Sequence, residues 1–230
     1  MINSFKSLSK FEFALWLFSI AAITLPFVIF HSGNPLTLIA SLIGVTALIF
    51  IAKGNVLGQI LTVIFSIIYA VISYQYRYFG EMITYVGMTL PSAVLSIITW
   101  LRHPYSGTAE VRVNKLRKIH YVALPFTAAI TTLVFYFILK YFNTANLALS
   151  TISITTSITA CYLLIFRSPL YALAYAANDI VLIGLWILAA IENISYIPMA
   201  ICFFMFLLND LYGFYNWRSM KVRQSNQSNG

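Results

Sequence analysis

The sequence predicts an all-α polytopic membrane protein: eight transmembrane helices arranged 1+3+1+3, with two parallel three-helix repeats. Three observations carry this prediction. Of 230 residues, 60% are hydrophobic and only 9% charged, where a soluble domain carries about 25% charged residues. Apolar runs of the length a helix needs to cross a bilayer, about 20 residues, recur eight times. Basic residues fall almost entirely on alternate connections between those runs. The mean hydropathy of +0.85 agrees, and the aromatic count (Phe 18, Tyr 15, Trp 4) excludes a disordered chain.

The spans are read from apolar runs punctuated by Pro, Gly and charge. They cover roughly 11–30, 36–52, 55–76, 80–101, 119–141, 145–166, 169–190 and 196–217. The first follows Lys10, and its apolar part, Phe13 to Phe30, is too long for a signal-peptide core. No clear cleavage signal follows in His31-Ser32-Gly33-Asn34-Pro35, so this run reads as a retained extra helix, 11–30. Pro91 is expected to kink the fourth span near its middle.

Eight spans place both termini on one side. The connections on that side then hold Lys6, Lys10, Lys53, Arg102, Arg112, Lys115, Arg117, Lys118, Arg167, Arg218, Lys221 and Arg223. The opposite connections hold Arg77 and Lys140, a split of 12 to 2 among the 14 basic residues. Seven or nine spans would scramble the asymmetry. Because Lys and Arg mark the cytoplasmic side, both termini are expected there, in a multi-pass chain of the cell (inner) membrane. The net charge of +8 is thereby explained without nucleic acid, and Lys115 to Lys118 is expected to meet anionic headgroups of the lipid bilayer. The polar residues 218–230 are expected to form a disordered cytoplasmic tail.

Spans two to four resemble spans six to eight. Lys53-Gly54 joins the first two helices of one trio and Arg167-Ser168-Pro169 those of the other, and both trios end at an aromatic-basic boundary, Trp100-Leu101-Arg102 and Trp217-Arg218. Two units of three helices run parallel only if one helix joins them. The expected organisation is a single transporter domain: 36–101 as repeat one, 119–141 as the linker helix and 145–217 as repeat two. Parallel repeats are a known transporter plan, with substrate bound between them near the midplane.

Polar groups at bilayer depth point to the site. Asp179 and Asp210 lie near the middle of spans seven and eight, where a charge costs about 2.5 kcal/mol or more. Each follows an asparagine, Asn178 or Asn209, and precedes a tryptophan, Trp186 or Trp217, by two helical turns. Tyr171, Tyr175 and Asn178 share one helical stripe; Asn209, Tyr212 and Asn216 share another. A cavity walled by these groups would stack an aromatic ring on Tyr or Trp, bond it through amides and favour a cationic ring beside a carboxylate. The competing role is interhelical packing, for which membrane proteins also use Asn, Ser and Thr. Span six carries seven hydroxyls within residues 150–159, Thr155 among them. Gln75 and Glu81 flank the outer ends of spans three and four, as gate residues or solvated loop. The predicted substrate-binding set is Asn178, Asp179, Tyr171, Tyr175, Asn209, Tyr212, Asp210, Thr155, Trp186 and Gln75.

Cys161 and Cys202 lie inside apolar runs and give neither a disulfide framework nor metal-ligand spacing. No phosphate-binding loop, H-E-x-x-H or G-x-S-x-G is present, and no His lies deep in a span. Catalytic residues, cofactors and metals are therefore not expected, and a membrane-embedded enzyme is the weakest reading.

The stretch from Arg167 to Asp179, the ending Asn209-Asp210-Leu211-Tyr212-Gly213-Phe214-Tyr215-Asn216-Trp217, and Ile68 to Gln75 followed by Gly80-Glu81-Met82 resemble the Pnu vitamin transporters. The best-known members of that family are PnuC-type nicotinamide riboside transporters. The resemblance implies two three-helix bundles joined by a helix, a central vitamin site and homotrimers in at least some members. It further implies facilitated diffusion of a small-molecule substrate, made one-way by a cytosolic kinase that traps it. Nicotinamide riboside is the first substrate to consider, with thiamine, riboflavin or a deoxynucleoside as alternatives and proton coupling through Asp179 or Asp210 as a variant mechanism. Nicotinamide riboside members tend to carry Trp-x-x-Trp early in the seventh span. The matching positions here are Tyr171 and Ala174, so one stacking surface is altered and the other absent unless Tyr175 replaces it.

Overall fold

The computed structural model describes residues 5–29, 35–75, 79–144 and 146–227, without the side chains of Gln75, Phe79, Glu81 and Ser195. The expectations for Gln75 and Glu81, and the loop readings over 30–34 and 76–78, fall outside that description.

Among the described residues the chain is helical, with eight helical segments apolar enough and long enough to cross a membrane. They are α1 (Lys10–Ile29), α2 (Pro35–Ala52), α3 (Val56–Gln75), a composite fourth span, α6 (Lys118–Tyr141), α7 (Leu147–Ile165), α8 (Tyr171–Glu192) and α9 (Ile197–Gln227). The composite span runs through α4 (Phe79–Thr84), a π-helical turn (Tyr85–Thr89) and α5 (Leu90–Leu101). Pro91 sits at the start of α5, and its distortion appears on the N-terminal side as the π turn. Proline has no N–H for the carbonyl one turn back, so that turn widens to satisfy its neighbours.

The basic end of the molecule is built from two matching junctions. At the end of α2, Gly54 N–H donates to Ile51 O (2.8 Å) and Asn55 N–H to Phe50 O (2.9 Å). At the end of α7, Arg167 N–H donates to Leu164 O (3.0 Å) and Ser168 N–H to Leu163 O (2.9 Å). Both are helix-ending loops with one residue at positive φ, +65° for Gly54 and +56° for Arg167. The next helix then starts in the same way: Asn55 Oδ1 accepts from Leu57 N–H (2.9 Å) and Ser168 Oγ from Leu170 N–H (3.4 Å). The junctions correspond residue for residue at an offset of 113 (167 less 54).

The tryptophans near the ends of α5 and α9 cross over. Trp217 Nε1 donates to Ile51 O at the end of α2 (2.9 Å), and Trp100 Nε1 donates to Leu164 O at the end of α7 (3.3 Å). The two indoles meet at 5.4 Å between centroids, and both are almost fully buried. Trp217 is thus anchored to backbone inside the core and is more than an interfacial belt residue.

Helix α9 corrects the expectation of a disordered tail over residues 218–227. Its 31 residues span about 46 Å at 1.5 Å per residue, beyond the roughly 30 Å hydrocarbon core. The extension docks on the connector between α5 and α6. Gln224 accepts from Val113 N–H (2.8 Å) and donates to Val111 O (3.1 Å), Arg223 pairs with Glu110, and Tyr105 bonds Gln227. Val111 N–H in turn donates to Gly54 O (2.9 Å), fastening the connector under the first junction. A polar composition reads as disorder only until a partner more than a hundred residues away supplies the bonds.

The extra helix α1 is held at Glu12. Ser9 and Glu12 cap each other (Ser9 N–H to Oε2, 2.6 Å; Glu12 N–H to Ser9 Oγ, 3.2 Å), the reciprocal box that S-x-x-E before an apolar run encodes. The same carboxylate receives Lys53 Nζ at 2.9 Å and Tyr212 Oη at 2.8 Å, and is buried. One side chain therefore ties α1, the first junction and α9 together.

Glu12→Ala is expected to cost about 2 kcal/mol, because it strands Lys53 and Tyr212 in partly buried surroundings; thermal unfolding in detergent measures it, with a fully retained Tm counting against the account. For the crossed indoles, Trp100→Phe and Trp217→Phe each remove one bond of about 1 kcal/mol. Since the rings touch, a double-mutant cycle should show coupling of about 0.5–1 kcal/mol, and strict additivity would contradict it.

Candidate functional site

A cavity of about 120 Å³ lies between α2, α3, the composite span, α7, α8 and α9. Toward the basic end its wall is polar: Gln59 in the first turn of α3, Tyr171 and Tyr175 in the first turns of α8, then Asn178, Asp179 and Asp210. Further along it is aromatic, with Phe65, Tyr85, Phe203 and Phe206. Ile51 and Leu164, the residues whose carbonyls hold the crossed indoles, also line it. These two residues form the floor, and the indole pair holds them from outside the lining. Tyr171 packs edge-on against Trp217 (4.9 Å, 70°) and stands near Tyr175 (6.2 Å). A Cβ on Gly213 would come within 3.1 Å of Tyr171 Oη, so the absence of a side chain there gives the ring its place. At the other end Phe65, Tyr69 and Tyr85 stack on one another, Tyr69 and Tyr85 at 4.4 Å.

The amide of Asn178 is oriented from α7. Ser153 Oγ and Thr156 Oγ1 both donate to its Oδ1, at 2.8 and 3.0 Å. Two hydroxyls of α7 thus hold one end of the amide. Asp179 and Asp210 come together side chain to side chain, and both are buried. No Lys, Arg or His is found among the described residues lining the cavity, so any charge its wall carries comes from this carboxyl pair. Of the buried side-chain polar atoms without a hydrogen-bond partner among the described residues, four belong to this wall: Gln59 Oε1 and Nε2, Tyr171 Oη and Asp179 Oδ2. Orphaned polar atoms cost about 1–3 kcal/mol each. Their clustering marks a wall shaped for an incoming polar group.

Five residues of the predicted set therefore line one cavity: Tyr171, Tyr175, Asn178, Asp179 and Asp210. Four do not. Asn209 donates to Ser19 Oγ (3.0 Å) and Met205 O (2.8 Å), and Tyr212 donates to Glu12. With Asn216, which donates to Ala52 O (2.9 Å), they form the strip of α9 that receives α1 and the end of α2. Thr155 bonds Thr132 on α6 (2.9 Å). Trp186 packs on Tyr196 (5.7 Å) in the turn before α9. The physical reason is the same throughout: a helical stripe shows which residues share a face, and only the neighbouring helix decides whether that face meets a cavity or a partner. The sequence reading missed Gln59 and the role of Ser153 as a brace. For Gln59 a signal was available, since a glutamine one turn inside an apolar span is as conspicuous as an asparagine.

The family model described as Nicotinamide mononucleotide transporter matches residues 34–219. The chain belongs to this family. Family membership makes it a multi-pass membrane transporter and not an enzyme. Among curated proteins, it is 25% identical over 219 residues to the nicotinamide riboside transporter PnuC of Neisseria mucosa, covering 93% of this chain and 83% of that one. It is 24% identical over 190 residues to the protein of the same name from Haemophilus influenzae, covering 82% of this chain and 81% of the other. A crystal structure of the vitamin B3 transporter PnuC superposes with a TM-score of 0.81 at 25% identity, over 95% of this chain and 94% of that one. The matched region of the Nicotinamide mononucleotide transporter family begins just before α2 and leaves α1 outside, while every described residue that lines the cavity lies within it.

Asn178→Leu is expected to abolish ligand binding and preserve the fold. The pair Ser153→Ala and Thr156→Val, which frees the amide, should weaken binding about tenfold, whereas Thr155→Val leaves it unchanged. Calorimetric titration of the purified variants checks the series, and a Thr155 effect as large as that of the Ser153 and Thr156 pair would remove the brace.

Proposed function

We propose that this transporter carries nicotinamide riboside by facilitated diffusion across the cell's inner membrane, with both termini on the cytoplasmic side. The observation that carries the reading is the composition of the cavity: an aromatic end beside an acidic, amide-bearing end, with no basic residue among its described lining. Such a site suits a flat cationic ring joined to a polar hydroxylated group. A neutral deoxynucleoside leaves Asp179 and Asp210 without a charge to meet. The orientation follows from the basic end, which gathers Lys53, Arg112, Arg167 and the extension of α9.

Two parallel three-helix repeats, 36–101 and 145–217, belong to the same reading. Their support is the pair of matched junctions and the reciprocal indole bonds, each made from the last helix of one unit to the first helix of the other. In such an arrangement the ligand sits where the units meet, and rocking of one against the other exposes it in turn. The family resemblance adds a homotrimer and a cytosolic kinase that phosphorylates the arriving nucleoside.

One observation favours a second substrate. With Tyr171 and Ala174 at the positions of the Trp-x-x-Trp pair, the stacking surface is smaller, and thiamine, also cationic, meets the same acids. A thermal-shift panel of nicotinamide riboside, thiamine, riboflavin and a deoxynucleoside separates the candidates. At a hundredfold excess over Kd the true ligand stabilises by about 2.7 kcal/mol, and nicotinamide riboside is expected to give the largest shift. A larger shift with thiamine would replace it. Uptake into proteoliposomes should be insensitive to an uncoupler; sensitivity would assign the carboxyl pair a proton-coupling role. Asp179→Asn should weaken the cationic ligand selectively over a neutral analogue, and equal loss for both would make the carboxyl structural.

A further inference from the structure

We propose that Gln59 determines specificity in this cavity by pairing both ends of its amide with a carboxamide on the substrate ring. The inference rests on the carrier reading above and names the group by which that carrier tells its ligand from the corresponding acid.

Gln59 is completely buried, and neither Oε1 nor Nε2 has a partner among the described residues. It faces the cavity from α3, across from the α8 residues that supply Tyr171, Asn178 and Asp179. A buried amide with both ends unmet is costly, and a leucine would fill the same space without that cost. Asn178 is the other amide in the wall, but one end of it is already held by Ser153 and Thr156. Gln59 is therefore the amide with a donor and an acceptor both free.

A primary amide offers a donor and an acceptor side by side. Its closest complement is a second primary amide, paired head to tail through two N–H···O bonds. A ring carboxylate supplies two acceptors and no donor, so it would face Gln59 Oε1 oxygen to oxygen. It would also bring a negative charge toward Asp179 and Asp210. A neutral carboxamide on a cationic ring avoids both conflicts: the ring charge answers the acids while the amide answers Gln59. The polar wall then reads two features of one ligand at once, through groups on different helices.

The test is calorimetric titration of the purified full chain with nicotinamide riboside and with nicotinic acid riboside, together with thermal unfolding of the unliganded protein. The wild-type chain should prefer the amide by at least about tenfold. Gln59→Leu should weaken nicotinamide riboside about tenfold or more and lose most of that preference. Its unliganded Tm should be equal to or above wild type, since the variant removes an unpaired buried amide. If Gln59→Leu does not fold, Gln59→Met carries the same test with a flexible side chain of similar length. A Leu or Met variant that keeps the wild-type preference, or that loses unliganded stability with affinity unchanged, overturns the proposal and makes Gln59 a packing residue. A wild-type chain that binds both nucleosides equally overturns it while leaving the carrier reading in place. Binding of neither overturns both.

Discussion

The bonds from Trp217 to Ile51 O and from Trp100 to Leu164 O are the constraint on which the rest of the structure depends. In a bilayer the hydrophobic effect does not press helices together, because lipid tails are as apolar as leucine. Close packing and specific hydrogen bonds must choose the arrangement. Each indole grasps a carbonyl at the end of a distant helix, Trp217 at the end of α2 and Trp100 at the end of α7, next to a helix-ending loop that leaves carbonyls available. The two rings meet between these grasps. That contact holds Ile51 and Leu164, the floor of the cavity, in place. Without it, Tyr171 would lack the surface against which it stands.

Above that floor the polar wall is energetically unfavourable in itself. Gln59, Tyr171 and Asp179 keep buried polar atoms unpaired, and two carboxyl groups share one enclosed space. The surroundings hold these groups in place: Ser153 and Thr156 orient Asn178, Gly213 makes room for Tyr171, and a Cβ on Gly44 would come within 2.8 Å of Phe206. A site kept polar and under-satisfied binds a complementary ligand by relieving that cost, which suits a carrier that must also release its cargo.

The periphery is organised by a different set of contacts. Glu12 joins α1 to Lys53 and Tyr212, and the extension of α9 clasps the connector through Gln224. Both reach the junction at residues 53–55, directly below the floor. The added helix and the added tail thus brace the same turn from two sides, and neither contributes a residue to the cavity wall.

Composition and periodicity determined that the chain crosses a membrane eight times and which end gathers the basic residues, because burial in lipid leaves a strong one-dimensional trace: runs of about twenty apolar residues and charge restricted to alternate connections. The stripe Tyr171, Tyr175, Asn178 and the acids Asp179 and Asp210 were legible for the same reason, since polar residues at bilayer depth stand out. Tertiary structure alone decided which polar face meets the cavity. Asn209 and Asp210 are adjacent in sequence, yet about 100° of helical rotation sends one to Ser19 and the other to Asp179. It also decided that Trp217 reaches across to Ile51 and that the tail from Gln224 finds Val111. Those partners lie more than a hundred residues apart, and a local pattern holds no record of what the folded chain brings beside it.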